Sequence, residues 1–159
     1  MTERLVAIAI DDTGLPRPTP EMEQERRVAI VDLLEENCFT LPPHPDRTAA
    51  PPWKLNLSVR DRRLVFAVTS ESGEPAGEFH MSTGPFRQVV KDYFQICQSY
   101  YDAVRTLPPS QIETIDMARR GIHNEGARVL QERLAGKAEL DQDTARRLFT
   151  LICVLQFGG

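Results

Sequence analysis

Trp53-Lys54-Leu55-Asn56-Leu57-Ser58-Val59 alternates apolar and polar side chains, with Trp53, Leu55, Leu57 and Val59 on one face. A period of two over seven residues marks a half-buried β-strand. Arg60-Asp61-Arg62 turns the chain, and residues 64–69 repeat the strand pattern. Glu71-Ser72-Gly73-Glu74 makes a second turn before a short third strand over residues 78–81. Short connections between alternating strands predict an antiparallel meander.

Upstream, residues 5–10 are β-prone and end at the turn signal Asp11-Asp12-Thr13-Gly14. Pro16, Pro18 and Pro20 form a stiff connector. Thr19 suits an N-cap, Pro20 the first helical position, and Glu21 and Glu23 the positive end of the helix dipole. The helix they open is predicted to reach Asn37, with Met22, Val28 (with Ala29), Val31 (or Ile30) and Leu34 as its apolar face. Residues 42–52 hold five prolines and two adjacent alanines, too few backbone donors for a helix or a central strand. They read as an exposed, mobile loop.

Downstream the period changes. From Ser82 or Thr83 as cap, Phe86, Val89, Val90, Tyr93, Phe94, Cys97, Tyr100, Tyr101 and Val104 recur at steps of three and four, the pattern of an amphipathic helix. Leu107-Pro108-Pro109 breaks it. Ser110 with Glu113 reads as a capping box for a third helix that runs to Ala135 and stops at Gly136. Asp141 or Asp143 caps a last helix that is apolar nearly all round, with a buried strand over residues 148–157 as the competing reading. The expected fold is α+β: an antiparallel sheet of about four strands, the first helix on one face, and three C-terminal helices packed together. The 159 residues fit one domain, with residues 82–157 as a candidate helical subdomain.

The apolar fraction is 41% and the net charge −4, which argues against a nucleic-acid partner. Cys38, Cys97 and Cys153 are odd in number and widely spaced, as reduced thiols in a cytoplasm would be. No apolar run is long enough for a membrane span. No Cys/His pair has zinc spacing and no glycine loop fits a phosphate or dinucleotide, so neither metal nor cofactor is expected.

Polar chemistry gathers in Asp116-Met117-Ala118-Arg119-Arg120-Gly121-Ile122-His123-Asn124-Glu125-Gly126. Two glycines inside one helix cost about 1 kcal/mol each relative to alanine, so close packing or backbone access is implied. On a helical wheel Ile115, Ile122 and Val129 centre the apolar stripe, with Ala118 and Gly126 beside it. Asp116, Arg120 and His123 share one flank, Arg119 lies next to it, and Glu125 falls on the other side. Asp116 and Arg120, four apart, can pair directly, and His123 is the ready proton carrier. His123, Asn124 and Glu125 are adjacent and therefore point three ways. Arg146 and Arg147 oppose the dipole in the first turn of the last helix unless an acid or a bound anion meets them. Two readings stand side by side. One is a helix surface laced with ion pairs. The other is a polar pocket where Asp116, Arg119, Arg120, His123, Asn124, Glu125, Arg146 and Arg147 bind an anionic small molecule, with His123 as candidate catalytic residue. His44, in the proline loop, and His80, in a strand, lie outside this group.

Pro85-Phe86-Arg87, Lys91-Asp92-Tyr93-Phe94, Ser99-Tyr100-Tyr101, the segment 115–126, and Asp143-Thr144-Ala145-Arg146-Arg147-Leu148-Phe149-Thr150-Leu151 resemble a small uncharacterised protein family (UPF) of alphaproteobacteria. The helix from Glu23-Gln24-Glu25-Arg26 to Glu35-Glu36-Asn37 matches as well. The resemblance implies a cytoplasmic bacterial protein and brings no activity with it. With no catalytic constellation evident, a non-enzymatic binding or regulatory module is the first expectation. An enzyme acting on a phosphorylated or carboxylated small molecule, with an arginine clamp and His123 as acid/base, is the second. The third and fourth helices carry more apolar surface than a small sheet can cover, which predicts a homodimer through the C-terminal helices.

Overall fold

The computed structural model describes residues 3–155. In chain order it contains β1 (Leu5–Asp11), α1 (Pro20–Glu35), β2 (Phe39–Thr40), β3 (Trp53–Arg60), β4 (Arg63–Ser70), β5 (Pro75–Ser82), α2 (Gly84–Thr106), α3 (Pro109–Leu134), β6 (Glu139–Leu140) and α4 (Gln142–Leu155). The architecture is α+β. The main sheet has the order β1-β3-β4-β5. The pairs β3–β4 and β4–β5 are antiparallel, as a meander requires. Register follows the alternation: Leu55 faces Val68, Leu57 faces Phe66, and Phe66 faces Phe79. The β3–β4 turn is two residues long, with Asp61 at φ 51° and Arg62 at φ 62°. Positive φ at both central positions matches the right-handed twist of the flanking strands.

The sheet is mixed rather than antiparallel throughout, because β1 runs parallel to β3, with Ile8 beside Leu55 and Ile10 beside Leu57. The cause is the helix between them. Parallel neighbours need a long crossover connection, and α1 with the segment after it supplies one. The proline segment completes that connection. Its residues 43–46 are exposed, but Ala49 is buried, and Arg47 Nε donates to the carbonyl of Ala76 at 3.1 Å, fastening it to β5.

Helix α1 starts as expected, with Met22 N–H donating to Thr19 Oγ1 at 3.2 Å. It stops at Glu35, and its inner face is Met22, Ala29 and Leu33. Val28, Val31 and Leu34 are exposed instead. Apolar residues surround the second half of this helix, so packing against α4, not periodicity, selects the buried side. Asn37 lies beyond the helix end and is buried. Leu5 N–H donates to its Oδ1 at 2.7 Å, and its Nδ2 donates to the carbonyls of Leu5 at 2.9 Å and Leu33 at 2.7 Å. One side chain thus ties α1 to β1. A second tie is the short antiparallel ladder of β2 with β6, which joins the end of α1 to the start of α4.

Thr83 holds the cap position of α2 without a side-chain bond into the helix, whereas Ser82 Oγ accepts from Gly84 N–H at 3.2 Å. The expected Ser110–Glu113 capping box is absent. Helix α3 begins at Pro109, and the carbonyl of Pro108 receives the N–H groups of Gln111 and Ile112. Proline at the first helical position places Ser110 inside the helix, where it cannot cap. Asp141 caps α4, accepting from Thr144 N–H at 3.0 Å. That segment is helical to Leu155 and so is not a strand, and residues 156 and 157 lie outside the described residues. From Leu148 to Leu155 every residue of α4 is buried. One hydrophobic cluster runs from Trp53, Leu57 and Phe66 in the sheet to Tyr93, Leu130, Phe149 and Ile152 in the helices.

Candidate functional site

Helix α3 brings its inner face down as Gly126, Ala127, Leu130 and Leu134, one step round from the stripe expected at Ile115, Ile122 and Val129. The shift follows from Gly126. A Cβ on this residue would lie 2.5 Å from the ring tip of Phe149, so the aromatic ring of α4 rests directly on the α3 backbone. Gly121 has open space around it and plays no such part.

Close approach at Gly126 sets His123, one turn earlier, against α4. His123 Nε2 lies 2.7 Å from the carbonyl oxygen of Arg146 and 2.8 Å from Thr150 Oγ1. A carbonyl oxygen only accepts, so Nε2 carries the proton. The ring packs beside Tyr93 and Phe149, at centroid distances of 5.5 and 6.0 Å. Burial pushes the imidazole down to about 4, and the Arg146 and Arg119 guanidinium groups add to the fall, against the opposing pull of the Arg146 carbonyl. The imidazole is therefore neutral at pH 7.

Above His123 the flank expected from the wheel becomes an ion-pair network. Asp116 bridges two arginines, at 2.9 Å to Arg119 Nη2 and 2.9 Å to Arg120 Nη2. Arg119 also stands 3.6 Å from Glu25 Oε1 on α1, and its guanidinium covers the Tyr100 ring at 4.3 Å. Tyr101 donates its hydroxyl proton to the same Glu25 oxygen at 2.9 Å. Burial opposes the charge on Arg119, and Glu25 and Asp116 outweigh it. Arg120 is 68% exposed. Beneath, Tyr93 is pushed far up by burial, then by Cys97 and Glu25, and burial raises the Cys97 thiol to about 11.

These groups line a cavity of about 360 Å³ at the junction of four helices. Helix α1 contributes Gln24, Glu25 and Val28, α2 contributes Tyr93, α3 contributes Asp116, Arg119, Arg120 and His123, and α4 contributes Arg146. Of the residues singled out in the sequence, the cavity gathers Asp116, Arg119, Arg120, His123 and Arg146. It does not gather the others. Asn124 is exposed, and Glu125 is exposed and pairs with Arg128. Arg147 Nη1 reaches instead to the carbonyl of Glu36 at 3.4 Å, near the end of α1. His80 pairs with Glu78 on the sheet, and His44 Nδ1 accepts from Asp46 N–H in the loop. Sequence reasoning did not reach Gln24, Glu25, Val28 or Tyr93, because each arrives from a helix other than α3 and α4.

The cavity sets three guanidinium groups against two carboxylates, Glu25 and Asp116. Arg146 is the least satisfied of the three. Its Nη1 lies 3.5 Å from the largely exposed Asp143, and its buried Nε has no hydrogen-bond partner.

The neutral state of His123 predicts a pH dependence of stability. Its folded pKa of about 4 lies below the ordinary 6.5, so the unfolded chain takes up the proton first. This contribution is full above pH 6.5 and declines as pH falls toward 4, by up to about 3 kcal/mol. Urea titrations from pH 7 to pH 4 should show the decline, and His123→Gln should flatten it. An NMR titration of His123 with a midpoint near 6.5 would contradict the burial argument.

The chain belongs to the Uncharacterised protein family (UPF0262), whose family model matches residues 2–158. It is 71% identical over 157 residues to a UPF0262 protein of Ruegeria pomeroyi, covering 98% of each chain. It is 69% identical over 157 residues to one of Roseobacter denitrificans, covering 98% of this chain and 99% of the relative. For a UPF0262 protein of Paracoccus denitrificans the identity is 67% over 153 residues, covering 96% and 94%. No solved structure matches the chain significantly. Among the described residues, no helix is long and apolar enough to cross a membrane.

Proposed function

We propose that this protein is a non-enzymatic binding or regulatory module of the bacterial cytoplasm that holds a small anionic molecule in the four-helix cavity. The observation that carries the reading is Arg146, a cavity-lining arginine whose carboxylate partner, Asp143, stands 3.5 Å away and is largely exposed, while guanidinium groups outnumber carboxylates around the cavity. An anion in the cavity would meet, through the terminal guanidinium nitrogens, the charge that such an arginine leaves weakly paired. The cavity volume falls in the range of small-molecule sites. Three free cysteines, two of them buried, suit a reducing compartment. The enzymatic alternative would use His123 as acid/base. A pKa of about 4 leaves almost no imidazolium at neutral pH and makes the neutral ring a weak base, which favours binding over catalysis. Thermal-shift measurements against phosphate, sulfate, carboxylates and nucleotides test the proposal, since a ligand selective for the native state raises the melting temperature. At least one anion should do so in the wild type and lose the effect in Arg146→Met. A flat panel would remove the proposal.

Self-association is the second part of the reading. Helix α4 is covered within its own chain, so the surface falls to α2 and α3. Between Cys97 and Gly126 these helices bury only Ala103 and leave Val104, Leu107 and Met117 exposed. Residues 98–115 contain only three charged side chains, Asp102, Arg105 and Glu113. Few charges with exposed Met and half-buried Tyr suit the centre of an interface. Light scattering should give a dimer mass for the wild type and a monomer for Met117→Glu. A wild-type monomer at micromolar concentration would count against it.

A further inference from the structure

The hydrogen-bonding groups that the cavity leaves unfilled are unequal in kind. Arg119 is fully engaged by Glu25, Asp116 and the Tyr100 ring. Asp116 uses both oxygens on arginines. The donors that remain are on Arg146 and on Arg120, which gives only Nη2 to Asp116. One acceptor remains among the groups of α3. His123 turns Nε2–H to the Arg146 carbonyl and Thr150, and with that nitrogen protonated the neutral ring keeps a lone pair on Nδ1. No hydrogen bond to Nδ1 occurs among the described residues, and Nδ1 is not among their buried, unpartnered atoms, so it is open to solvent at the cavity. A bare carboxylate would fill the arginines and leave Nδ1 to water. A ligand that carries a donor close to its negative group would use Nδ1 as well. The surplus of guanidinium charge disfavours an ammonium there and leaves a hydroxyl.

We infer that the ligand of this cavity is a hydroxycarboxylate, bound with its carboxylate on Arg146 and Arg120 and its hydroxyl donating to His123 Nδ1. The inference rests on the anion-binding reading above and narrows it to one class. Paired probes test it by calorimetry: malate against succinate, and lactate against propionate. Each hydroxylated probe should bind tighter than its deoxy partner, by up to about tenfold, the net value of one hydrogen bond that replaces a bond to water. In His123→Phe the ratio should fall to about one. Because that variant also loses the bond to Arg146 and risks misfolding, the wild type supplies a second readout. The ¹⁵N resonance of His123 Nδ1 should move on adding malate and stay in place on adding succinate. Equal binding of the paired probes, or a stationary Nδ1 signal with malate bound, overturns the hydroxyl contact while leaving anion binding standing. Failure of all four probes overturns the hydroxycarboxylate class even where another anion raises the melting temperature.

Discussion

Replacing Gly126 with alanine should destabilise the protein, while the same replacement at Gly121 should stabilise it. Both glycines sit inside α3, where alanine is the better helix former by about 1 kcal/mol. At Gly121 nothing lies within 4 Å of an added Cβ, so the full gain appears. At Gly126 the Cβ meets three ring atoms of Phe149 at 2.5 Å. That ring is fully buried and packed edge-on against Tyr93, at a centroid distance of 5.7 Å. It has no free volume to enter, and forcing a methyl group into a filled core costs about 1–3 kcal/mol. The propensity gain is common to both sites, so the two variants should differ by about 1–3 kcal/mol in urea unfolding, and Phe149→Leu should recover part of the loss at Gly126. Midpoints moving in the same direction for both variants would refute the contact. His123 and Arg146 owe their proximity to this approach, so the proposed anion binding should weaken along with stability in Gly126→Ala.

Asn37→Leu should cost about 3–5 kcal/mol, although it exchanges a polar core residue for an apolar one of similar size. The amide serves three backbone groups: the N–H and C=O of Leu5, and the C=O of Leu33. Leucine would leave all three without a partner, and each orphaned group costs about 1–3 kcal/mol when it cannot reach water. Leu5 and Leu33 are both fully buried, so water has no easy route. Asn124→Leu on the exposed side of α3 supplies the control and should change stability by about 0.5 kcal/mol or less. Hydrogen exchange at the Leu5 amide adds a local readout and should accelerate in Asn37→Leu. Equal effects of the two substitutions would show that the buried amide is not the tie described.

Strand β3 was legible because it buries Trp53, Leu55 and Leu57 on one face, which writes itself into the sequence as alternation, and the turn signals on either side of β4 marked that strand and β5. Helix α2 was legible for the matching reason at a period of three to four. Where a segment is apolar on several sides the pattern loses its direction, and α1 shows this: Met22 and Ala29 are inside as expected, but Val28, Val31 and Leu34 are exposed and Leu33 is buried in their place. The parallel placement of β1 was signalled by a helix between two strands but not by any residue in β1 itself. Pro109 displaced the Ser110 cap through a backbone constraint stronger than a side-chain bond. In the cavity, the grouping of Asp116, Arg120 and His123 could be read from one helical wheel. Glu25 and Tyr93 could not, because inter-helix distances are set by packing at residues such as Gly126. The difference between Arg146 and Arg147 is one step of 100° on α4, and the sequence holds no sign of which faces inward.

The parallel pairing of β1 with β3 also bears on the order of events as the chain leaves the ribosome. Strand β1 is made before the edge that receives it, which does not exist until α1, the proline segment and β3 have followed. The hairpins of β3, β4 and β5 close between near neighbours and can form at once, whereas β1 waits for a long-range closure. During that wait its Leu5, Ile8 and Ile10 have no sheet to cover them. A nascent chain halted before Trp53 should therefore bind chaperones through residues 5–11, and one released after β5 should not.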